Sequence, residues 1–177
     1  MNTYDTLLIS SPASHVVQIT LNRPDFANAF NTQMALDLVD IFESLSMDPS
    51  ETRAIILTGS GTRAFCAGGD LKERNGMSNA AWSKQHLIYE RMARAVINCP
   101  IPVIGAINGA AYGGGCELAA GVDFAYVAHG ARLAQTEVKI GIIPGAGGTQ
   151  TLARAVGERR AKELILTGEV FTAEQAL

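Results

Sequence analysis

The distribution of apolar residues predicts a pair of strands at the start of the chain. Apolar residues cluster at positions 6–9 and 15–21, and the segment Ser-Ser-Pro-Ala-Ser lies between them. Two short apolar runs joined by turn-forming residues favour a hairpin-like pair. Asn-Arg-Pro at 22–24 ends the second run, because proline lacks the N–H that a strand ladder requires.

Hydrophobic spacing then changes to the period of a helix. Asn31 is placed to cap a helix that begins at about Thr32. The apolar face of this helix consists of Met34, Leu38, Ile41, Phe42 and Leu45. A second long helix is predicted within residues 78–97, and a short helix carrying Glu117 follows three consecutive glycines.

Further apolar runs at 54–58, 103–107 and 124–128 predict strands, and the first two of these are expected to be buried. The resulting order is strand-strand-helix, strand-helix, strand-helix, strand. This alternation predicts an α/β protein in which helices cover the faces of a sheet. Because no linker or repeat divides the sequence, one domain is predicted across residues 1–177.

The last residues carry the signature of a helix start. Thr172 is placed as an N-cap, and Gln175 as its partner in a capping box. The sequence ends at Leu177, and a helix of about one turn does not recover the cost of its nucleation. We therefore expect the sequence to stop before the final elements of the fold.

Charge and cysteine content narrow the class of protein. The net charge is -3, the pI is near 5.6 and there is no basic run, so a nucleic-acid partner is not expected. The cysteines, Cys66, Cys99 and Cys116, are odd in number and form no Cys-x-x-Cys pair. That pattern is typical of reduced intracellular thiols and predicts neither a disulfide framework nor a metal site.

One largely apolar stretch, residues 101–122, has the length of a membrane helix. Pro102 and the glycines would break such a helix, and Glu117 would place a charge in lipid, so we predict a strand, a turn and a short helix without membrane association. The first residues contain no basic segment followed by an apolar run, which predicts no secretory signal. Cytoplasmic location is the default expectation.

Two glycine-rich turns are candidate binding elements: Gly68-Gly69 and Gly113-Gly114-Gly115. Each follows an apolar strand and the second opens a helix, so backbone N–H groups would point at a bound oxygen atom. The alternative is that the glycines only permit tight turns and close packing. Neither segment continues as Gly-Lys-Ser/Thr or completes G-x-G-x-x-G, so no nucleotide-binding loop is predicted.

Glu117 and Glu137 are the candidate acid–base residues. Both stand among small and apolar neighbours, where a charge is costly unless it is paired or used. Burial raises the pKa of a carboxyl toward neutral pH, which suits general acid–base catalysis. The alternative is a structural salt bridge, for instance with Lys139 or Arg132.

Other side chains give weaker signals. The histidines, His86 among them, lack metal-ligand spacing and are interpreted as structural or surface residues. Cys66 and Cys116 flank the glycine turns but have no histidine nearby in sequence, so they are interpreted as small core residues. Trp82 is interpreted as core packing.

Five segments, in order and spacing, resemble the enoyl-CoA hydratase/isomerase (crotonase) family. They are Asn-Arg-Pro…Asn-Ala-Phe (22–30), Arg-Ala-Ile-Ile-Leu-Thr-Gly (53–59), Ala-Phe-Cys-Ala-Gly-Gly-Asp-Leu-Lys-Glu (64–73), the glycine-rich block 102–119 and the block 135–150 that opens with Gln-Thr-Glu-Val-Lys. The resemblance implies a crotonase-like spiral of β-β-α turns, with the family's C-terminal helical region missing or truncated. It also implies a homotrimer or a dimer of trimers where that region is present.

The resemblance further implies an enoyl-CoA hydratase, which adds water across the 2,3 double bond of an acyl-CoA thioester. Coenzyme A is then part of the substrate, and no separate cofactor is expected. Two carboxylates favour a hydratase over an isomerase, which commonly keeps one. An isomerase or another lyase or hydrolase of the same fold remains the alternative, and a non-catalytic acyl-CoA-binding protein is the alternative from another class.

The family's functional residues fall on named positions of this chain. The resemblance places the oxyanion-hole N–H groups at Gly69 and Gly114 and the catalytic pair at Glu117 and Glu137. The implied contacts to the substrate and coenzyme A are Ala67, Gly68, Gly69, Asp70, Leu71, Lys72 and Gly114. Our hypothesis makes the protonated Glu137 the proton donor and Glu117 the base that activates water.

Overall fold

Strands and helices of this computed structural model are described for residues 3–176. The strands are β1 (Leu7–Ala13), β2 (Val16–Leu21), β3 (Ala54–Gly59), β4 (Ala64–Cys66), β5 (Val103–Ile107), β6 (Ala110–Tyr112), β7 (Phe124–Val127), β8 (Arg132–Ala134) and β9 (Phe171–Thr172). The α-helices are α1 (Thr32–Met47), α2 (Leu71–Arg74), α3 (Asn79–Ile97), α4 (Gly114–Gly121), α5 (Gly148–Val156) and α6 (Glu158–Thr167). None of the described helices combines the length and the apolar character needed to cross a membrane.

Their order repeats a strand-strand-helix unit: β1-β2-α1, then β3-β4 with α2 and α3, then β5-β6-α4 and β7-β8 followed by α5. One sheet has the order β1-β2-β3-β5-β7, and the other has the order β4-β6-β8-β9. From the second unit onward, the first strands β3, β5 and β7 lie side by side in the larger sheet, and the second strands β4, β6 and β8 lie side by side in the smaller one. Both strands of the first unit, β1 and β2, belong to the larger sheet. This arrangement confirms the predicted α/β spiral of β-β-α turns.

The core lies between the larger sheet and the helices. Alternate residues of β2 and β3, including Ile19 and Leu57, have no exposed surface, as expected for one buried face of a sheet. Met34, Leu38 and Phe42 of α1 are equally buried. The helical face predicted from hydrophobic spacing is therefore the face that packs on the sheet.

The predicted helix starts are confirmed by their caps. Asn31 Oδ1 accepts a hydrogen bond from the Met34 N–H at 3.0 Å, which satisfies one of the unpaired donors at the start of α1. At the start of α3, the Ser78 hydroxyl oxygen accepts from the Ala81 N–H at 3.2 Å. The predicted strand at 103–107 coincides with β5.

The connection between the first two strands differs from the prediction. Strand β1 continues through Pro12 to Ala13, and the turn is confined to Ser14 and His15, whose φ is 64°. Pro12 is tolerated because β1 lies at the edge of its sheet, where one side of the backbone needs no ladder partner. A proline in an edge strand was therefore mistaken for part of a turn.

The predicted capping box near the end of the chain is present. The Thr172 N–H donates to Gln175 Oε1 at 2.9 Å, and the Gln175 N–H donates to Thr172 Oγ1 at 3.3 Å. It introduces a 3-10 turn, Glu174–Ala176, rather than an α-helix, and β9 pairs with β8 immediately before it. Leu177, the last residue of the predicted helix, lies outside the described residues.

Candidate active site

The two glycine turns meet because the strands that precede them are neighbours. Strands β4 and β6 run parallel, with Cys66 opposite Ala111, so the segments after them emerge at the same edge. Gly68 has φ +87°, and a Cβ there would lie 2.8 Å from the Tyr112 carbonyl oxygen and 2.9 Å from the Gly114 nitrogen. Glycine is required at position 68 for both its conformation and its closeness to the second turn.

Two backbone donors are free where the turns meet. Gly114 is the first residue of α4, a position whose N–H has no partner inside the helix. Gly69 lies beside Phe30, whose backbone instead bonds the flanking Gly68 carbonyl and Asp70 N–H. Among the hydrogen bonds of residues 3–176, neither the Gly69 N–H nor the Gly114 N–H has an acceptor. These two donors are therefore available to a ligand oxygen.

Glu117 lies one turn into α4 and is only 3 % exposed. Its Oε1 accepts hydrogen bonds from the N–H groups of Ala146, at 2.7 Å, and Gly148, at 2.8 Å. Burial raises the pKa of Glu117 above its ordinary value, while these N–H groups and the nearby His86 act in the opposite direction. Because hydrogen bonds from N–H groups favour a carboxylate, Glu117 is a buried acid held in a setting that supports its charge.

Glu137 begins a 3-10 turn, Glu137–Ile140, and is 7 % exposed. Its Oε2 is buried without a hydrogen-bond partner among the described residues. Burial raises the pKa of Glu137 to about 7, and the charge of Glu117 adds to the increase, while its own backbone N–H opposes it. A carboxyl with this pKa holds a proton at neutral pH much of the time.

A cleft of about 660 Å³ brings these groups together. Both glycine turns, Glu117 and Glu137 line it. Its apolar wall consists of Phe30, Leu71, Trp82, Tyr89, Ile140, Ile142 and Ile143. Another concavity, of about 680 Å³, is lined by Asp37 and Arg91 among others, but by none of the predicted site residues. The cleft therefore combines two N–H donors, two buried acids and an apolar wall.

The predicted contact residues divide into two groups. Ala67, Gly68, Gly69, Leu71 and Gly114 all line the cleft.

Asp70 and Lys72 are not among the lining residues. The Asp70 carboxylate pairs with Arg23 at 2.9 Å and caps α2 by accepting from the N–H groups of Lys72 and Glu73. The exposed Lys72 ammonium lies 5.9 Å from the Phe26 ring centre. Asp70 thus shapes the turn, and Lys72 stands on the surface beside it.

The alternative of a structural salt bridge is excluded for both acids within residues 3–176. Neither Glu117 nor Glu137 has a Lys, Arg or His nitrogen within ion-pair distance. Burial raises the pKa of the Cys66 and Cys116 thiols to about 12, which keeps them neutral, as predicted for small core residues. The two acids are therefore buried groups of the cleft without an ion-pair partner, and burial raises the pKa of both.

Three features of the cleft were missed by sequence reasoning. The loop 144–148 supplies the donors to Glu117, although its glycines indicated only a turn. Trp82 was interpreted as core, but it is 40 % exposed and stacks on His86 with ring centres 5.0 Å apart at the cleft wall. Arg74 also lines the cleft. Helical spacing places these side chains on α2 and α3 but does not reveal which element they face.

The spiral and the cleft place the chain among proteins of the crotonase fold. It superimposes on the crystal structure of enoyl-CoA hydratase from Bacillus anthracis with a TM-score of 0.94 and 43% identity, covering 97% of this chain and 66% of that one. The family model described as enoyl-CoA hydratase/isomerase matches residues 12–177. The chain belongs to the enoyl-CoA hydratase/isomerase family.

Sequence relatives agree with this assignment. The chain is 43% identical over 172 residues to YngF of Bacillus subtilis, whose name places it among the enoyl-CoA hydratases/isomerases; the match covers 97% of this chain and 66% of YngF. It is 40% identical over 162 residues to the short-chain-enoyl-CoA hydratase of Clostridium acetobutylicum, covering 92% of this chain and 62% of that protein. The chain thus spans slightly less than two thirds of the length of these relatives.

Proposed function

We propose that this protein is an enoyl-CoA hydratase that adds water across the 2,3 double bond of an acyl-CoA thioester. The observation that carries the proposal is the presence of two buried carboxyls, Glu117 and Glu137, in one cleft with two free N–H donors. The names of the similar proteins support the same chemistry. Trimeric assembly and cytoplasmic location remain predictions of the sequence and its resemblance.

The N–H groups of Gly69 and Gly114 take the thioester oxygen in this mechanism. Addition of water at carbon 3 moves electrons into the thioester and makes that oxygen negative. Two fixed donors stabilise the enolate-like oxygen more than the neutral carbonyl, which lowers the barrier. Loss of one donor of this kind typically costs about 3 kcal/mol of transition-state stabilisation.

The two carboxyls divide the proton transfers. Ionised Glu117 takes a proton from water as the oxygen bonds to carbon 3, and protonated Glu137 gives a proton to carbon 2. The pair then exchanges one proton to return to its starting state. The N–H groups that support charge on Glu117, and the burial that favours the neutral form of Glu137, support this division.

The hydratase and the isomerase alternative differ in what happens to the conjugated double bond. A hydratase removes the ultraviolet absorbance of a 2-enoyl thioester, whereas an isomerase acting on a 3-enoyl thioester creates it. The test is to add the purified 177-residue protein to crotonyl-CoA and, separately, to 3-hexenoyl-CoA. We expect the absorbance to fall with crotonyl-CoA. This fall should require Glu117, so that Glu117→Gln is inactive.

Two results would contradict the proposal. A rise with 3-hexenoyl-CoA and no change with crotonyl-CoA would indicate an isomerase. Tight binding of crotonyl-CoA without any turnover, unaltered in Glu117→Gln, would indicate an acyl-CoA-binding protein. Glu163→Gln, on the exposed surface of α6, is the matched control for the loss of a carboxylate.

A further inference from the structure

Arg74 is a cation of the cleft wall that the hydration mechanism does not use. It is the last residue of α2 and lines the cleft together with Gly69 and Tyr89. A Cβ on Gly69 would lie 4.0 Å from the central carbon of the Arg74 guanidinium. The charge therefore stands close to the predicted position of the thioester.

A buried glutamine fixes the orientation of this guanidinium. The Arg74 Nε–H donates to Gln85 Oε1 at 2.8 Å. The Gln85 side chain is itself fixed, because its Nε2 donates to Glu73 Oε2 at 2.7 Å and to Thr32 Oγ1 at 2.8 Å. Gln85 is only 3 % exposed, so its contact with Arg74 is shielded from water. Arg74 is thereby oriented before any ligand binds.

Aromatic rings fix the guanidinium further. Its central carbon lies 4.8 Å from the ring centre of Tyr89 and 5.6 Å from that of Trp82. Both distances fall within the range of cation–π attraction. The Nε–H is already bonded to Gln85 and the Tyr89 side chain also hydrogen-bonds Arg74, so the donors that remain for a ligand are the other N–H groups of its two terminal nitrogens.

The acids around Arg74 are committed elsewhere. Asp70 pairs with Arg23 at 2.9 Å. The Glu73 carboxylate accepts from the Thr32 N–H at 2.9 Å as well as from the Gln85 amide.

Glu90, which shares the cleft wall, lies 3.4 Å from both His86 and Arg94. Within residues 3–176, no carboxylate oxygen reaches ion-pair distance of Arg74. An oriented arginine at the cleft wall is thus left without a paired carboxylate.

We propose that Arg74 selects 2-enoyl-CoA thioesters whose acyl chain carries a second carboxylate. The planar guanidinium presents two parallel donors that match the two oxygens of a carboxylate. An acyl chain of a few carbons spans the short distance from the oxyanion donors to this edge. The inference rests on the proposed hydratase function and names its substrate class, the monothioesters of unsaturated dicarboxylic acids.

The phosphates of coenzyme A are another source of anionic oxygens. They are separated from the thioester by the whole length of the pantetheine arm, whereas Arg74 lies beside Gly69. The acyl carboxylate is therefore the anion that Arg74 takes. Binding of free coenzyme A distinguishes the two sources.

Binding tests the inference without relying on turnover. Glutaryl-CoA and butyryl-CoA are saturated and differ by the terminal carboxylate, so titration calorimetry of both compares that group alone. We expect the protein to bind glutaryl-CoA at least about tenfold more tightly, as one charge-assisted contact implies. Arg74→Met should remove the preference, and Arg74→Lys should retain part of it. Arg159→Met, on the exposed face of α6, controls for the loss of one positive charge.

Turnover gives the second readout. The ratio of kcat/KM for glutaconyl-CoA to that for crotonyl-CoA should exceed about ten and fall toward one in Arg74→Met. Equal binding of glutaryl-CoA and butyryl-CoA by the unmodified protein would overturn the inference. So would an Arg74→Met variant that weakens free coenzyme A as much as glutaryl-CoA. Discrimination in binding with no hydration of either thioester would contradict the hydratase proposal while retaining the carboxylate site.

Discussion

Glu117 and Glu137 share a cleft, yet their surroundings are opposite in character. Glu117 is held by the N–H groups of Ala146 and Gly148, which point at one of its oxygens. Glu137 has a buried oxygen without a partner among the described residues. Burial raises the pKa of both acids; several loop N–H groups oppose this increase for Glu117, whereas only its own backbone N–H opposes it for Glu137. Burial alone therefore does not determine whether a carboxyl acts as acid or base; the hydrogen-bond donors around it do.

The two acids also differ in the secondary structure that carries them. Glu117 stands within a helix and faces the start of another, α5, where unpaired N–H groups are available. Glu137 starts a short 3-10 turn that ends at Gly141, in the left-handed conformation. A helix start offers donors to an acid opposite it, and the 3-10 turn leaves one oxygen of its acid without a partner among the described residues. The fold thus places two residues of the same type in settings that differ in their supply of hydrogen-bond donors.

Removal of either acid is expected to give the largest effect. Glu117→Gln and Glu137→Gln should each reduce hydration of crotonyl-CoA by a factor of about 100 to 10,000, the range typical of a lost general acid or base. The pH dependence of any residual activity should differ between the two variants. Activity dependent on protonated Glu137 falls as pH rises through about 7, and Glu137→Gln should lose that fall. Full activity in both variants would contradict the paired mechanism.

Displacing each acid with one methyl group should give an intermediate effect. A Cβ at Gly148 would lie 2.9 Å from Glu117 Cγ, and a Cβ at Gly113 would lie 3.1 Å from Glu137 Oε1. Gly148→Ala and Gly113→Ala should each lower kcat by about 100-fold, since catalytic geometry tolerates little displacement.

Backbone strain separates these two variants. Gly113 has φ +53°, so Gly113→Ala should also lose about 1–3 kcal/mol of folding free energy, measured by urea unfolding. Gly130→Ala is the matched control, because Gly130 has φ +81° but no atom within 4 Å of its Cβ position. It should lose stability through strain without losing activity per folded molecule. Equal activity losses in all three variants would show that strain, rather than contact with the acids, is responsible.

The pH dependence of stability compares the two acids without any substrate. The folded pKa of Glu137, about 7, lies above its ordinary value of 4.5, so the folded protein binds a proton that the unfolded chain releases. Its contribution to stability is full below about 4.5 and is lost as pH rises through about 7. Glu137→Gln removes that loss, so its unfolding free energy should gain about 3 kcal/mol relative to the unmodified protein between pH 4 and pH 8.

Glu117→Gln provides the same measurement of pH-dependent stability for the other acid. The pKa of Glu117 is also raised, so the sign is the same, but the N–H groups of Ala146 and Gly148 support its charge and should make the change smaller. Thermal unfolding of both variants across this pH range measures the difference. A larger change in Glu117→Gln would reverse the assignment of the two acids.

Local sequence signals predicted those parts of the fold that depend on local interactions. The apolar face of α1 and its Asn31 cap follow from spacing and hydrogen-bonding chemistry within a few residues. The three-residue strands β4, β6 and β8 were not predicted, because so short a run has no recognisable period. They exist because their neighbours in the smaller sheet supply the hydrogen bonds.

The site divides in the same way. The glycine turns and both acids were identified from apolar surroundings and from the family's motifs. Arg74, Trp82 and His86 were not, because only the packing of α2 and α3 at the cleft brings them to its wall. The hydrogen-bond donors to Glu117 also lie about 30 residues further along the chain, so no local pattern predicts them.

The division of roles between Glu117 and Glu137 depends most directly on which acid holds the proton. Side-chain carboxyl resonances of ¹³C-labelled glutamate, followed by NMR as pH changes, measure this on the protein without any substrate. We predict one glutamate with a midpoint near pH 7. Its resonance should vanish in Glu137→Gln and persist in Glu117→Gln with a lower midpoint, because the charge of Glu117 raises the pKa of Glu137. Disappearance of the resonance in Glu117→Gln instead, or its absence from the unmodified protein, would contradict the assignment.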